Sequence, residues 1–137
     1  MKSVCNRKII MISCIAVAVL IAGGCYALSV ISARVNVPDT NATLHYVCNG
    51  ENIRVDLTAE ESEAIRDIFD GNRRYNDDPS CGFSEDISFR YGDMTFCVAR
   101  DTCPVIKCGD RYFKISNEDR EALNAVFEKY GGSFPYV

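Results

Sequence analysis

Five cysteines follow His45 in this chain, at Cys48, Cys81, Cys97, Cys103 and Cys108, and three more, Cys5, Cys14 and Cys25, precede it. Thiols at this density cross-link, hold a metal or react, and their spacing separates the three. A structural metal site needs paired ligands a few residues apart. Cys97-x5-Cys103-x4-Cys108 is too loose for that, and His45, the single histidine, stands far from it. No metal and no cofactor are expected. A redox nucleophile needs a resolving thiol in a CxxC-like arrangement, and the sequence contains none. Cross-linking remains. Cys81 and Cys103 sit in turn-rich stretches, DDPSCGF and RDTCPV, with little apolar pattern to hold them, and they are expected to pair as a disulfide. Five is odd, so at least one thiol stays unpaired; Cys48, Cys97 and Cys108 receive no partner.

Other catalytic chemistry finds less support. His45 as a base would need an acid and a nucleophile nearby, and strand alternation puts Arg54 opposite it instead; it reads as a surface histidine. Asp77-Asp78 and Glu85-Asp86 flank Cys81 but lack the spaced oxygen ligands and central glycine of a calcium loop. GxSxG, HExxH and a phosphate-cradling glycine loop are all missing from the sequence. The expected protein is therefore not an enzyme. Fifteen Lys and Arg against 19 Asp and Glu give −4 overall. Three of the cations, Lys2, Arg7 and Lys8, lie at the N-terminus, which leaves twelve against nineteen beyond them. A nucleic-acid binder needs a basic footprint, so nucleic acid is excluded as a partner.

That basic N-terminus precedes fourteen uncharged residues, 9–22, and the next charge is Arg34. Three readings fit: a lipoprotein signal ending at an acylated Cys25, an uncleaved anchor over 9–31, or a cleaved signal with small residues at Ala27, Ser29 or Ala33. Ala22 and not an aliphatic residue stands three before Cys25, which departs from the usual lipoprotein pattern. In each reading the positive end stays cytoplasmic and the acidic remainder crosses the membrane. The expected organisation is a signal, lipoprotein signal or membrane anchor over 1–25, a polar tether over 26–42, and an extracytoplasmic domain over 43–137.

The elements that must position these side chains are legible from alternation. TLHYVC and ENIRVDL flank Asn49-Gly50, a strong hairpin signal. A two-residue loop pairs Cys48 with Glu51, Tyr46 with Ile53, His45 with Arg54 and Leu44 with Val55. Thr58-Ala59-Glu60-Glu61 is a capping box, followed by the stripe Ile65, Ile68 and Phe69 and a stop at Gly71. Residues 72–85 read as a long loop. Two further hairpins turn at Gly92-Asp93 and Gly109-Asp110, and a last helix opens at Ser116 or Asn117 with Leu123, Val126, Phe127 and Tyr130 on one side. Gly131-Gly132 ends it, with Phe134-Pro135-Tyr136 expected to pack back on the domain. The order β-β-α-β-β-β-β-α predicts an α+β two-layer sandwich: an antiparallel sheet of hairpins with two helices on one face.

Two helices on one face leave the other uncovered. The register places His45, Arg54, Arg90, Lys107, Tyr112 and Lys114 there, with Asp56 as the one acid. A cationic face on an otherwise acidic domain is expected to take an acidic protein or an anionic glycan. Lysine and arginine also keep exposed strands soluble with no ligand at all. The function expected from the sequence is a non-enzymatic, membrane-tethered binding or inhibitory module. A thiol-dependent redox activity and an envelope-structural role are the alternatives.

Overall fold

A computed structural model of the chain describes residues 14–27 and 34–132, which belong to two separate compact units divided after residue 33. The expectations for Lys2, Cys5, Arg7, Lys8, Ser29 and Ala33, and for Phe134-Pro135-Tyr136, lie outside the described residues. In the first unit residues 14–27 form one helix, α1, whose side chains are exposed, including Ile15, Val17, Val19, Leu20, Ile21 and Tyr26. Among the described residues no helix is long and apolar enough to cross a membrane.

The second unit is an α+β two-layer sandwich. It runs β1 (Thr43–Cys48), β2 (Glu51–Asp56), α2 (Ala59–Phe69), β3 (Arg74–Tyr75), β4 (Ile87–Tyr91), β5 (Met94–Val98), β6 (Val105–Cys108), β7 (Arg111–Lys114) and α3 (Asn117–Lys129). The strands make one antiparallel sheet in the order β2-β1-β4-β5-β6-β7-β3. The first hairpin has the expected register, Cys48 opposite Glu51 and His45 opposite Arg54. Asn49 and Gly50 both take positive φ, 53° and 83°, as a twist-matched two-residue turn requires. Tyr91 faces Met94 and Cys108 faces Arg111 across the other two turns.

Both helices lie on one face of the sheet, and period-2 alternation brings the apolar side chains to meet them. Phe69 of α2 stacks on Phe96 with ring centroids 4.6 Å apart and meets Phe89 and Tyr91 edge-on. Phe127 of α3 meets Phe89 at 5.2 Å and Tyr46 at 6.1 Å. Each helix is started by a full capping box, Thr58 with Glu61 and Ser116 with Asp119. A polar chain ties the two together: Tyr130 and Lys129 donate to Glu61 at 2.8 and 2.6 Å, and the Tyr46 hydroxyl donates to the Tyr130 carbonyl at 2.5 Å.

Two expectations need correction. The first is the tether. Residues 34–42 belong to the folded unit, with Val35 and Val37 each 6% exposed and Ala42 1%. Arg34 bridges Arg73, Val35 exchanges backbone hydrogen bonds with Asn72 and Gly71, and Asp70 accepts from the Val37 N–H at 2.9 Å. Two valines two residues apart are a short strand pattern that the surrounding polar residues concealed. The second is the 72–85 loop, which contains β3 paired to β7 at Arg74–Phe113 and Tyr75–Tyr112. A two-residue strand is too short to show a period.

Candidate functional site

The face opposite the helices carries the six expected residues, and the register orders them. Arg54, His45, Ser88, Cys97, Lys107 and Tyr112 form one continuous cross-strand row from β2 to β7. Arg90 stands in the next row with Thr43, Asp56 and Thr95. Lys114 stands opposite Val105 on the other side of the row. Arg54, Arg90 and Lys114 are exposed, while His45, Lys107 and Tyr112 are half-buried. The ion pairs Arg66–Asp39 and Lys129–Glu61 both lie away from this face.

This face is not open throughout. Ser88 is 2% exposed and Cys97 9%, although both point away from the helices. What covers them is the segment 81–86, a strap along the central row. At one end the Glu85 carbonyl accepts from His45 Nδ1 at 2.6 Å and from Ser88 Oγ at 2.9 Å. Further along, the Phe83 ring lies 5.3 Å from that of Tyr112. Beyond it, the Gly82 carbonyl accepts from the Arg100 N–H at 2.9 Å. The expectation of an uncovered face fails for the middle of the sheet, because a loop without periodicity supplies the cover. Arg90 and Lys114 consequently stand on opposite sides of the strap.

The roles of the six residues differ accordingly. His45 is committed to structure: Nδ1 donates to the strap and Nε2 lies 3.2 Å from the Asn52 side-chain amide. Tyr112 is a floor for Phe83 and for Lys107, whose ammonium sits 5.8 Å from the ring centroid. Arg54, Arg90 and Lys114 remain for contact with solvent or a partner. A cleft of about 620 Å³ opens where the strap meets the turn end of β4–β7, lined among others by Phe83, Glu85, Thr95, Cys97 and Lys107. Arg34 and Arg111 also line it, and so do Asp93 and Asp110. Three cations balance three acids, so the cleft itself offers no net charge to an ion. Of the expected six, Lys107 alone lines it. Phe83 gave no signal beyond being one of two aromatics, with Tyr75, in a polar stretch.

The cysteines divide between the two faces and the loops. Cys97 lies on the strap side of β5, where burial and then Glu85 push its thiol up to about 11. Cys108 points to the helix side of β6, its thiol also raised by burial. Cys48 packs at the edge of the core. Cys81 and Cys103 come together: their sulfurs and an Asp101 carboxylate oxygen all lie within 4.8 Å of one another. Asp101 accepts the Cys103 N–H at 2.9 Å, which holds its carboxyl below the usual range. Hydrogen bonding with Cys81, then with Asp101, pushes the Cys103 thiol up to about 12. Asp101 was not singled out from the sequence, yet an aspartate two residues before a turn N–H is a recognisable signal. Cys25 lies exposed in α1. Comparison with known protein families, curated proteins and solved structures finds no match to this chain.

Proposed function

We propose that the second unit is a non-enzymatic binding module, held at a membrane by the N-terminal segment and exposed on the extracytoplasmic side, that takes an acidic protein or an anionic glycan on its strapped sheet face. The observation that carries this is the segregation of charge by register. Arg54, Arg90 and Lys114 are exposed on one face of a chain with net charge −4, with Asp56 as the strand acid in the row of Arg90, while the acids of α2 and α3 belong to the helical layer. A surface of that kind steers an anionic partner to one side of an acidic molecule. The membrane tether is supported by the basic start, the uncharged run over 9–31 and the exposed apolar side chains of α1, which need a nonaqueous cover. Against a thiol-dependent activity stand the raised pKa values of Cys97 and Cys108, because the thiolate is the reactive species.

The test is retention of the detergent-extracted full chain on immobilised heparin and on immobilised polyglutamate. Wild type is expected to be retained on at least one at low salt, and the triple variant R54E/R90E/K114E on neither, with its thermal midpoint unchanged within about 2 °C, as three exposed sites predict. Equal elution of the two proteins from both matrices overturns the reading.

A further inference from the structure

The strap has one irregular end. At Glu85 it is bonded to the sheet, but at Cys81 it meets the 99–104 loop, where Cys103 and Asp101 wait. We propose that Cys81 and Cys103 are the two halves of a disulfide latch that clamps the 81–86 strap over the outer face. The inference rests on the extracytoplasmic reading for its oxidant.

Three observations converge on the latch. The sulfurs already share a cluster no wider than 4.8 Å, so closure asks for little backbone movement. Cys103 is half-buried and Cys81 buried, which makes Cys103 the entry point and Cys81 the resolving thiol. The receiving loop is anchored independently: Asp101 fixes the Cys103 N–H, and Arg120 of α3 donates to the Asp101 carbonyl at 2.5 Å. With oxidised glutathione as oxidant, the Cys103 thiolate attacks one glutathione sulfur and releases a glutathione thiolate. The Cys81 thiolate then attacks the Cys103 sulfur of the mixed disulfide and releases the second. Two protein thiols give up two electrons and two protons, and one glutathione disulfide becomes two thiols. Once the bond has formed, the Asp101 carboxylate still disfavours a thiolate at Cys103, which makes Cys103 a poor leaving group and the bond slow to reduce, as a structural disulfide is.

The experiment uses the full chain in detergent, reduced and then exposed to oxidised glutathione, with alkylation before and after reduction and peptide mapping. Cys81 and Cys103 are expected to be protected together and found in one cross-linked peptide pair. Hydrogen exchange over 77–86 is expected to slow by about tenfold or more on oxidation, and the variant C81S/C103S is expected to show no response to oxidant. A second arm titrates the reduced chain with cobalt. Free labelling of both cysteines after oxidation, pairing of either with another cysteine, unchanged exchange, or an intense thiolate-to-cobalt absorption band would each overturn the latch, the last in favour of a metal. If the latch closes with added glutathione disulfide but the chain taken from acid-quenched cells is reduced, it is the extracytoplasmic reading that fails.

Discussion

The two faces of one sheet are closed by different means. On the helix side, Phe69, Phe89, Phe96 and Phe127 are 0% exposed under two capped helices, and each contact follows from a period of 2 meeting a period of 3.6. On the other side a six-residue strap covers Ser88 and Cys97 through two hydrogen bonds to the Glu85 carbonyl and one ring pair. Regular elements bury area and so dominate stability, while an irregular cover fixes shape at small energetic gain. A cover of the second kind can differ between states without loss of the fold.

The sharpest break of this contrast sets Phe69→Ala beside Phe83→Ala. The first removes the hub of three ring contacts and is expected to cost about 3–5 kcal/mol in urea unfolding. The second removes one half-buried ring and is expected to cost about 1 kcal/mol, with faster hydrogen exchange confined to the strap. Comparable losses would show that the strap is as integral as the core. Ser62→Ala comes next. Its buried hydroxyl donates to the Thr58 carbonyl and accepts the Ala42 N–H at 2.9 Å, so about 1–3 kcal/mol is expected to be lost. The Ala42 amide should exchange faster, which tests whether the 34–42 segment is part of the helical layer.

A pH series probes the rim of the same layer. The hydrogen bond from Lys129, then the one from the Thr58 N–H, holds the Glu61 carboxyl down to about 2, against 4.5 ordinarily. Its folded pKa lies below its unfolded one, so the contribution is fully present above pH 4.5 and disappears as the pH falls through 2. Solvent screening of a rim pair keeps the amount on the order of 1 kcal/mol. Wild type is expected to lose that increment between pH 4.5 and 2 in urea titrations and Glu61→Gln is not; parallel curves would remove Glu61 from the account. Smallest of all, R54E/R90E/K114E is expected to move unfolding free energy by less than about 0.5 kcal/mol, and a larger loss would mean these cations hold the outer face together.

What was legible in the sequence follows the same division. Asn49-Gly50, Gly92-Asp93 and Gly109-Asp110 each fixed a register to the residue, because a two-residue turn leaves no slack. Thr58 marked the start of α2, and of the two candidates Ser116 and Asn117 for α3 the first is the cap. The strand order across the sheet was not readable, since β1 meets β4 across the whole of residues 49–86 with no local signal. Nor was the strap: Phe83, Ser84 and Glu85 act largely through backbone carbonyls and one ring, and carbonyls have no letter in a sequence. The outer-face cations were placed correctly by alternation, but their division into two groups depended on that unseen cover. Cys81 and Cys103 came to notice because their surroundings were poor in everything else.

The sheet order also bears on how the chain reaches this state. β1–β2 and the run β4–β7 are each built of neighbours in sequence, whereas β1–β4 is a seam between them, with Leu44 beside Phe89 and Tyr46 beside Ile87. Local ladders close early, and the distant pairing bears the larger loop-closure entropy. Refolding is therefore expected to be timed by the seam. A truncation at the seam such as Leu44→Ala would slow the approach to the native state.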